Sequence, residues 1–293
     1  MIIFQMAGGL GNQMFIYAMY KRMCQLGRNA CIEDWTHYRH GVTPEIKEIF
    51  NIAYETASID EYNRLTDSSM NILKRIKRKI LGRKQIIYRE KDAITYDDRI
   101  FDVQDCYVEG YFQSEKYFSE IKEILRKEFV FPKFEEKSKA YEYERQIIQV
   151  NAVSVHVRRG DYLEDKFAKI YGNICTEEYY CAARNYMKNK YPDCKFYLFT
   201  NDAEWGMQQE SEDTVYVDAS EGVGAYVDMA LMSCCRHHII ANSSFSWWGA
   251  WLDENPDKTV IAPAKWLNIS EGKDIYAGLC NCLIDANGSV QCV

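Results

Sequence analysis

Apolar residues along this chain gather in short runs that alternate with segments of helical period. Ile2 to Met6 is the first run, and it passes through Ala7, Gly8, Gly9, Leu10, Gly11, Asn12 and Gln13 into a helical pattern from Met14 to Leu26. A strand, a glycine turn and a helix in that order suit a ligand, because the N–H groups at a helix start have no partner within the helix. The spacing G-G-x-G does not fit the dinucleotide fingerprint G-x-G-x-x-G, and a closely packed turn is the competing explanation. Ala30 to Ile32 reads as a second strand, while the stretch to about Tyr96 is mixed in pattern. Tyr107 to Phe112 predicts a strand. Ser114 to Glu128 predicts one helix, capped by Ser114, with Phe118, Ile121 and Leu125 on its apolar side. Pro132 breaks the pattern, and a charged helical stretch from Glu135 to Gln149 leads to the next apolar run at Ala152.

The second half alternates more regularly. Strands are expected at Ala152 to Val155, Lys195 to Thr200, Val215 to Val217, His238 to Ala241 and Val260 to Ala262. Helices are expected at Thr176 to Asn189, Tyr226 to Cys235 and from Ser243 or Ser244 to Leu252. Alternation of this kind implies a parallel sheet with its ligand crevice at the loops. The division into domains is expected near Pro132 or just before Ala152, and is drawn here as 1–150 and 151–293.

With 293 residues, the chain is long enough for two cores. No apolar run is long enough to cross a bilayer. Nothing at the start resembles a signal peptide, so a cytoplasmic protein is expected. The 11 cysteines include no C-x-x-C pair and read as buried thiols of a reducing compartment. Cys280, Cys282 and Cys292 lack a convincing fourth ligand for a metal. A net charge of −7 argues against nucleic acid as a partner. One segment departs from that balance: Lys74, Arg75, Lys77, Arg78, Lys79, Arg83 and Lys84 interleave with Ile72, Leu73, Ile76, Ile80 and Leu81 at helical spacing. This basic amphipathic helix, 72–84, suits peripheral contact with an anionic inner-membrane surface or a lipid-linked substrate; the alternative is a solvated helix packed on the N-terminal domain.

Three segments carry candidate chemistry. His156, Val157, Arg158, Arg159, Gly160, Asp161 and Tyr162 follow an apolar run and set two guanidiniums beside a carboxylate, which suits phosphate because arginine stays charged and can bond two oxygens at once. The alternative is an ordinary ion pair. Asn242, Ser243, Ser244 and Phe245 follow a strand and open a helix, where an anion is favoured, though serine is also a common cap. Trp247, Trp248 and Trp251 read as core. Asp228 opens the preceding helix, and its carboxylate can accept from the N1–H and N2–H₂ edge of guanine or simply complement the helix dipole.

The strings GGLGNQMFIYA (8–18), GYFQSEKYF (110–118), HVRRGDY (156–162), FYLFTND (196–202) and the stretch 228–252 together resemble glycosyltransferase family 11, which contains the α-1,2-fucosyltransferases. That resemblance implies an α/β, GT-B-like fold: two Rossmann-type domains facing across a cleft, with GDP-β-L-fucose held by the second. It also implies inverting, metal-independent transfer to a galactose-terminated oligosaccharide or lipid-linked glycan, as in O-antigen synthesis. By the same resemblance Arg158 meets the leaving phosphate, with Arg159 as second choice or as a brace for the loop. His156, Asn242, Ser243, Ser244 and Phe245 are expected at the nucleotide, as are Gly9 and Gly11 of the glycine turn, and Asp228 reads guanine. Asn12 is expected to orient donor phosphate and acceptor, and Asp161 is the candidate base unless the departing phosphate takes the proton. Another fucosyl linkage, or a catalytically silent nucleotide-sugar-binding protein, stands as the alternative.

Overall fold

Strand Ile2–Gln5 (β1) is apolar on both faces, which requires cover from both sides and suits the interior of a parallel sheet. The computed structural model describes residues 1–36, 44–159 and 165–292. The chain divides into two compact units, Met1–Val130 and Phe131–Val293.

In the first unit β1 is followed by Leu10–Gln25 (α1), Ala30–Glu33 (β2), Glu45–Phe50 (α2), Ile59–Thr66 (α3), Ile72–Leu81 (α4), Ile87–Arg89 (β3), Cys106–Glu109 (β4) and Lys122–Glu128 (α5). The sheet has the order β2-β1-β4-β3, and every pair in it is parallel. Helix α1 starts at Leu10, four residues before the expected Met14, because the amides of Asn12 and Gln13 both bond back to the Gly9 carbonyl. The helix expected over Ser114 to Glu128 is broken. Two 3₁₀ turns, Glu115–Tyr117 and Ser119–Ile121, precede α5, with Phe118 between them at φ −139° and ψ 13°, outside the helical region. Ser114 caps the first turn, accepting from the Lys116 amide. The predicted strand to Phe112 stops at Glu109, and Phe112 itself has φ +56°.

Helix α4 is capped by Asn71, whose side chain accepts from the amides of Leu73 and Lys74, and it ends at Gly82. None of its residues is buried, and Arg78 ties it to the preceding loop by donating to the Ser69 carbonyl and pairing with Asp67.

The second unit contains Lys139–Ile147 (α6), Ala152–Val157 (β5), Asp165–Tyr171 (α7), Glu177–Lys190 (α8), Lys195–Thr200 (β6), Ala203–Met207 (α9), Thr214–Tyr216 (β7), Tyr226–Ser233 (α10), His237–Ile239 (β8), Ser244–Leu252 (α11), Val260–Pro263 (β9), Cys282–Ile284 (β10) and Val290–Cys292 (β11). Its sheet runs β11-β10-β9-β8-β5-β6-β7, parallel except for β10 with β11. Alternation along the strands builds a core on each face. Val153, Val155 and Val157 meet Tyr179, Ala183 and Met187 of α8, while Ala152, Tyr197 and Phe199 meet Ile147 of α6 with Val227 and Leu231 of α10. That second contact draws α6 into this unit, so the division falls on the Pro132 side of the expected interval and not at 150.

From β5 the chain builds outward through β6 and β7, then returns to the other side of β5 for β8, β9 and β10. This is the Rossmann strand order, and its direction reverses between β5 and β8. Among the described residues no helix is long and apolar enough to cross a membrane.

Candidate functional site

Where strand order reverses, the connections leaving two neighbouring strands turn to opposite faces and open a crevice at their carboxyl ends. In the second unit those ends are His156 to Arg159 after β5 and Ile240 to Ser243 after β8. His156 is buried, and its carbonyl accepts from the Tyr180 hydroxyl at 2.9 Å. Burial, and secondarily the charge of Arg158, pulls the imidazole pKa down to about 3, so the ring is neutral. Its Nδ1 has no hydrogen-bond partner, and its centroid lies 5.7 Å from that of Phe245. A buried polar atom left in that state costs about 1–3 kcal/mol, which a ligand hydrogen bond removes.

Arg158 is half-buried beside it. Arg159 is committed to protein partners: its Nε donates to Asp202 at 2.9 Å, its amide donates to the Asn201 side chain at 2.8 Å, and its guanidinium lies 4.8 Å from the Trp205 ring centroid. Of its two expected roles, bracing is the one that these contacts provide, with Asp202 as the acid. Asp161 lies outside the described residues.

Ser243 caps α11, its hydroxyl accepting from the Phe245 amide, and Ser244 is partly exposed in the first turn. The Asn242 side chain was expected at the nucleotide. It instead donates to the carbonyls of Tyr171 and Trp266 at 3.2 Å each and accepts from the Cys175 thiol, so its amide fastens the loop. Trp247, Trp248 and Trp251 are fully buried, as expected of core.

Asp228 occupies the first turn of α10. One carboxylate oxygen accepts from Ser220 at 3.0 Å, and the other, Oδ1, is buried with no hydrogen-bond partner among the described residues. Burial pushes the carboxyl pKa up to about 7. Helix α10 is fastened to α11 at Gly249, where a Cβ would stand 2.9 Å from the Met232 Cβ. The buried chain Ser154, His238, Asp253 has the look of a hydrolytic triad, with contacts of 2.8 and 3.1 Å, but Ser154 is shut off from solvent and the group ties β5 to β8 and to the end of α11.

The first unit has its own cluster at the carboxyl ends of β1, β4 and β3. Gly8 holds φ +78°, and a Cβ there would meet the Asn12 side-chain nitrogen at 2.5 Å. Gly9 is exposed with open space around it, while Gly11 is buried in the first turn of α1. Gln13 fastens the turn, donating to the Gly8 carbonyl and accepting from the Ile46 amide, each at 3.1 Å. Asn12 accepts from Gln113 through Oδ1 at 2.8 Å. Gln113 follows Phe112, whose left-handed backbone is unusual for a bulky residue. Glu90 holds that bend: its carboxylate accepts from the Tyr111 amide at 2.6 Å and the Phe112 amide at 3.1 Å. Burial pushes the Glu90 pKa up to about 7 despite those two bonds. Sequence reading missed Gln113, Glu90 and Ser220. Gln113 stood inside a quoted motif without a role, whereas Glu90 and Ser220 carried no local signal.

Among known proteins, the chain matches the model for Glycosyl transferase family 11 over residues 87–276. It is 33% identical over 288 residues to the alpha-1,2-colitosyltransferase of Escherichia coli, covering 92% of this chain and 93% of that protein. It is 27% identical over 289 residues to the O-antigen biosynthesis glycosyltransferase WbnK of the same species, covering 89% and 93%. The solved fucosyltransferase NodZ from Bradyrhizobium superposes with a TM-score of 0.51 at 14% identity, over 100% of this chain and 98% of that one. That likeness is one of fold, and with the two parallel sheets it gives the GT-B class.

Proposed function

This chain belongs to glycosyl transferase family 11, and from that premise we propose that it transfers L-fucose from GDP-β-L-fucose to the 2-hydroxyl of a terminal β-galactoside in assembly of a surface glycan. The observation that carries the donor assignment is the buried, unpartnered Oδ1 of Asp228 beside an Oδ2 already held by Ser220. A carboxylate there suits the paired N1–H and N2–H₂ donors of guanine, a pairing that adenine cannot reproduce. His156 Nδ1 supplies a second unpartnered polar atom at the same sheet edge.

In the reaction the bond from fucose C1 to the β-phosphate oxygen breaks as the acceptor oxygen bonds to C1 from the opposite face. Positive charge grows at C1 and negative charge on the departing GDP. Arg158 is assigned to that phosphate, helped by the Ser243 and Ser244 end of α11, where amides and hydroxyls meet developing charge without reorganising. No divalent ion is assigned a part. The acceptor proton passes to the departing phosphate or to Asp161. Asn12, oriented by Gln113, is assigned to the acceptor side.

The relative named for colitose supports a second reading, in which the transferred sugar is colitose and the rest of the scheme is unchanged. Purified protein incubated with GDP-fucose or GDP-colitose, a panel of galactose-terminated acceptors and a chelator separates the two. An α-1,2-fucosylated product formed in chelator is expected. Transfer from GDP-colitose alone establishes the second reading, and loss of transfer in chelator overturns the metal-free scheme.

A further inference from the structure

Helix α4 and the basic residues after it have no part in the site. Apolar side chains there are open to solvent, with Ile72 at 72%, Leu73 at 76%, Ile76 at 50% and Ile80 at 75% exposure. With 3.6 residues per turn, these four fall on one side of the helix. Lys77 and Lys79 flank that stripe, and Lys74, Arg75 and Arg78 share the rest of the circumference with Leu81 of the last turn. Acidic residues near the segment are few: Asp67 pairs with Arg78 at 3.5 Å and accepts from the Lys84 amide at 3.1 Å. Helix α4 itself contains no acid, in a chain of net charge −7. A helix of 10 residues with nothing buried is also marginal in water on its own, since short helices depend on packing one face against something.

We propose that α4, with Arg83 and Lys84, is a membrane-surface anchor that lays its apolar stripe into the headgroup region of an anionic bilayer. Charge complementarity selects this occupant. An apolar stripe alone would suit many partners, but one bordered by lysines matches a surface that is oily below and negative above, where the long lysine stems cover apolar area while their ammonium groups stay with the phosphates. Such an anchor would hold the enzyme where a lipid-linked glycan acceptor is presented.

The test is flotation of the full chain with vesicles of phosphatidylglycerol and phosphatidylethanolamine, set against vesicles of phosphatidylcholine alone. Binding is expected only to the anionic vesicles, and it should fall as salt is raised. Lys74→Gln with Lys77→Gln should weaken it about 25-fold, each surface charge being worth about fivefold. A second variant, Ile76→Ser with Ile80→Ser, should abolish it. Both variants should keep full transfer to a soluble acceptor, because neither touches the site. Failure of the anionic vesicles to bind, or equal binding by the wild type and both variants, overturns the proposal. Self-association without lipid that the serine variant abolishes also overturns it, since a second copy of the chain would then be the occupant.

Discussion

Gln113 donates to the Asn12 side chain across 101 residues of sequence, and in doing so ties the loop after β4 to the glycine turn after β1. The donor is a neutral amide on a backbone bent at Phe112, so the contact depends on how that bend is held. Two carboxamides joined in this way leave the Asn12 nitrogen fixed in direction, which suits a group meant to orient a sugar hydroxyl.

Removal of either partner should therefore disturb the same step. Gln113→Ala is expected to lower kcat/KM for the acceptor about tenfold, the worth of one well-placed hydrogen bond, while GDP affinity stays unchanged. The double variant with Asn12→Ala should be no worse than Asn12→Ala alone, because the pair acts as a unit. Additive losses in steady-state kinetics would show that the two residues act separately.

Glu90 is a positioning residue for this pair, acting through the amides of Tyr111 and Phe112. Since its pKa is raised to about 7, protonation below that value weakens the grip on the bend, and kcat should fall as pH drops through 7. Glu90→Gln should remove that limb of the pH profile and lower kcat at high pH, with the KM for the donor unchanged. A profile identical to wild type would show that the carboxylate only packs.

Asp228 makes a sharper pH prediction. Its pKa stands near 7 in the ligand-free protein, whereas guanine needs the ionised form, so GDP should bind about tenfold more weakly for each pH unit below 7. The effect on stability has the opposite sense. A carboxyl whose folded pKa is raised keeps a proton that the unfolded chain releases, so its contribution to stability falls as pH rises from about 4 to about 7. Asp228→Asn should consequently raise Tm above about pH 7 while abolishing guanine preference and flattening the pH dependence of binding. Calorimetric titration of GDP against pH, with a thermal melt of each variant, checks both halves.

Arg158 and Arg159 should separate cleanly. Arg158→Lys is expected to lower kcat about 10²–10³-fold, the usual effect of losing one donor aimed at developing charge. Arg159→Lys breaks a partly exposed pair with Asp202 and a stacking contact with Trp205, and should change kcat less than about fivefold. Equal losses in single-turnover assays would place both guanidiniums on the phosphate.

The strands of the second unit were legible because β5 and β6 are long and buried on both faces, and their flanking helices carry plain capping residues such as Thr176 and Ser138. Strands β3, β10 and β11 have three residues each, and unlike the equally short β7 and β8 they stand outside the regular alternation of strands and helices in the second half. The break at Phe118 was hidden because Phe118, Ile121 and Leu125 keep helical spacing and are all buried, although the backbone between them is not a continuous helix. At the candidate site, His156, Asp228 and Ser243 stand out in the sequence because each lies next to a strand end or helix start. Asn242 looked equivalent, yet its amide is used by Tyr171 and Trp266, contacts 71 and 24 residues away that no local pattern encodes. Glu90 was illegible for the same reason, since its partners lie in the next strand's loop.

The close approach of Gly249 to Met232 fixes more than a helix pair. Asp228 rides on one of those helices and Ser243 and Ser244 open the other, so on the proposed donor assignment base reader and phosphate end form a caliper set to one length of ligand. Gly249→Ala would have to spread its jaws, costing about 1–3 kcal/mol of stability and loosening GDP. On that assignment the caliper closes on the nucleotide and leaves the sugar beyond its reach, so a change of transferred deoxyhexose would not require these two helices to move.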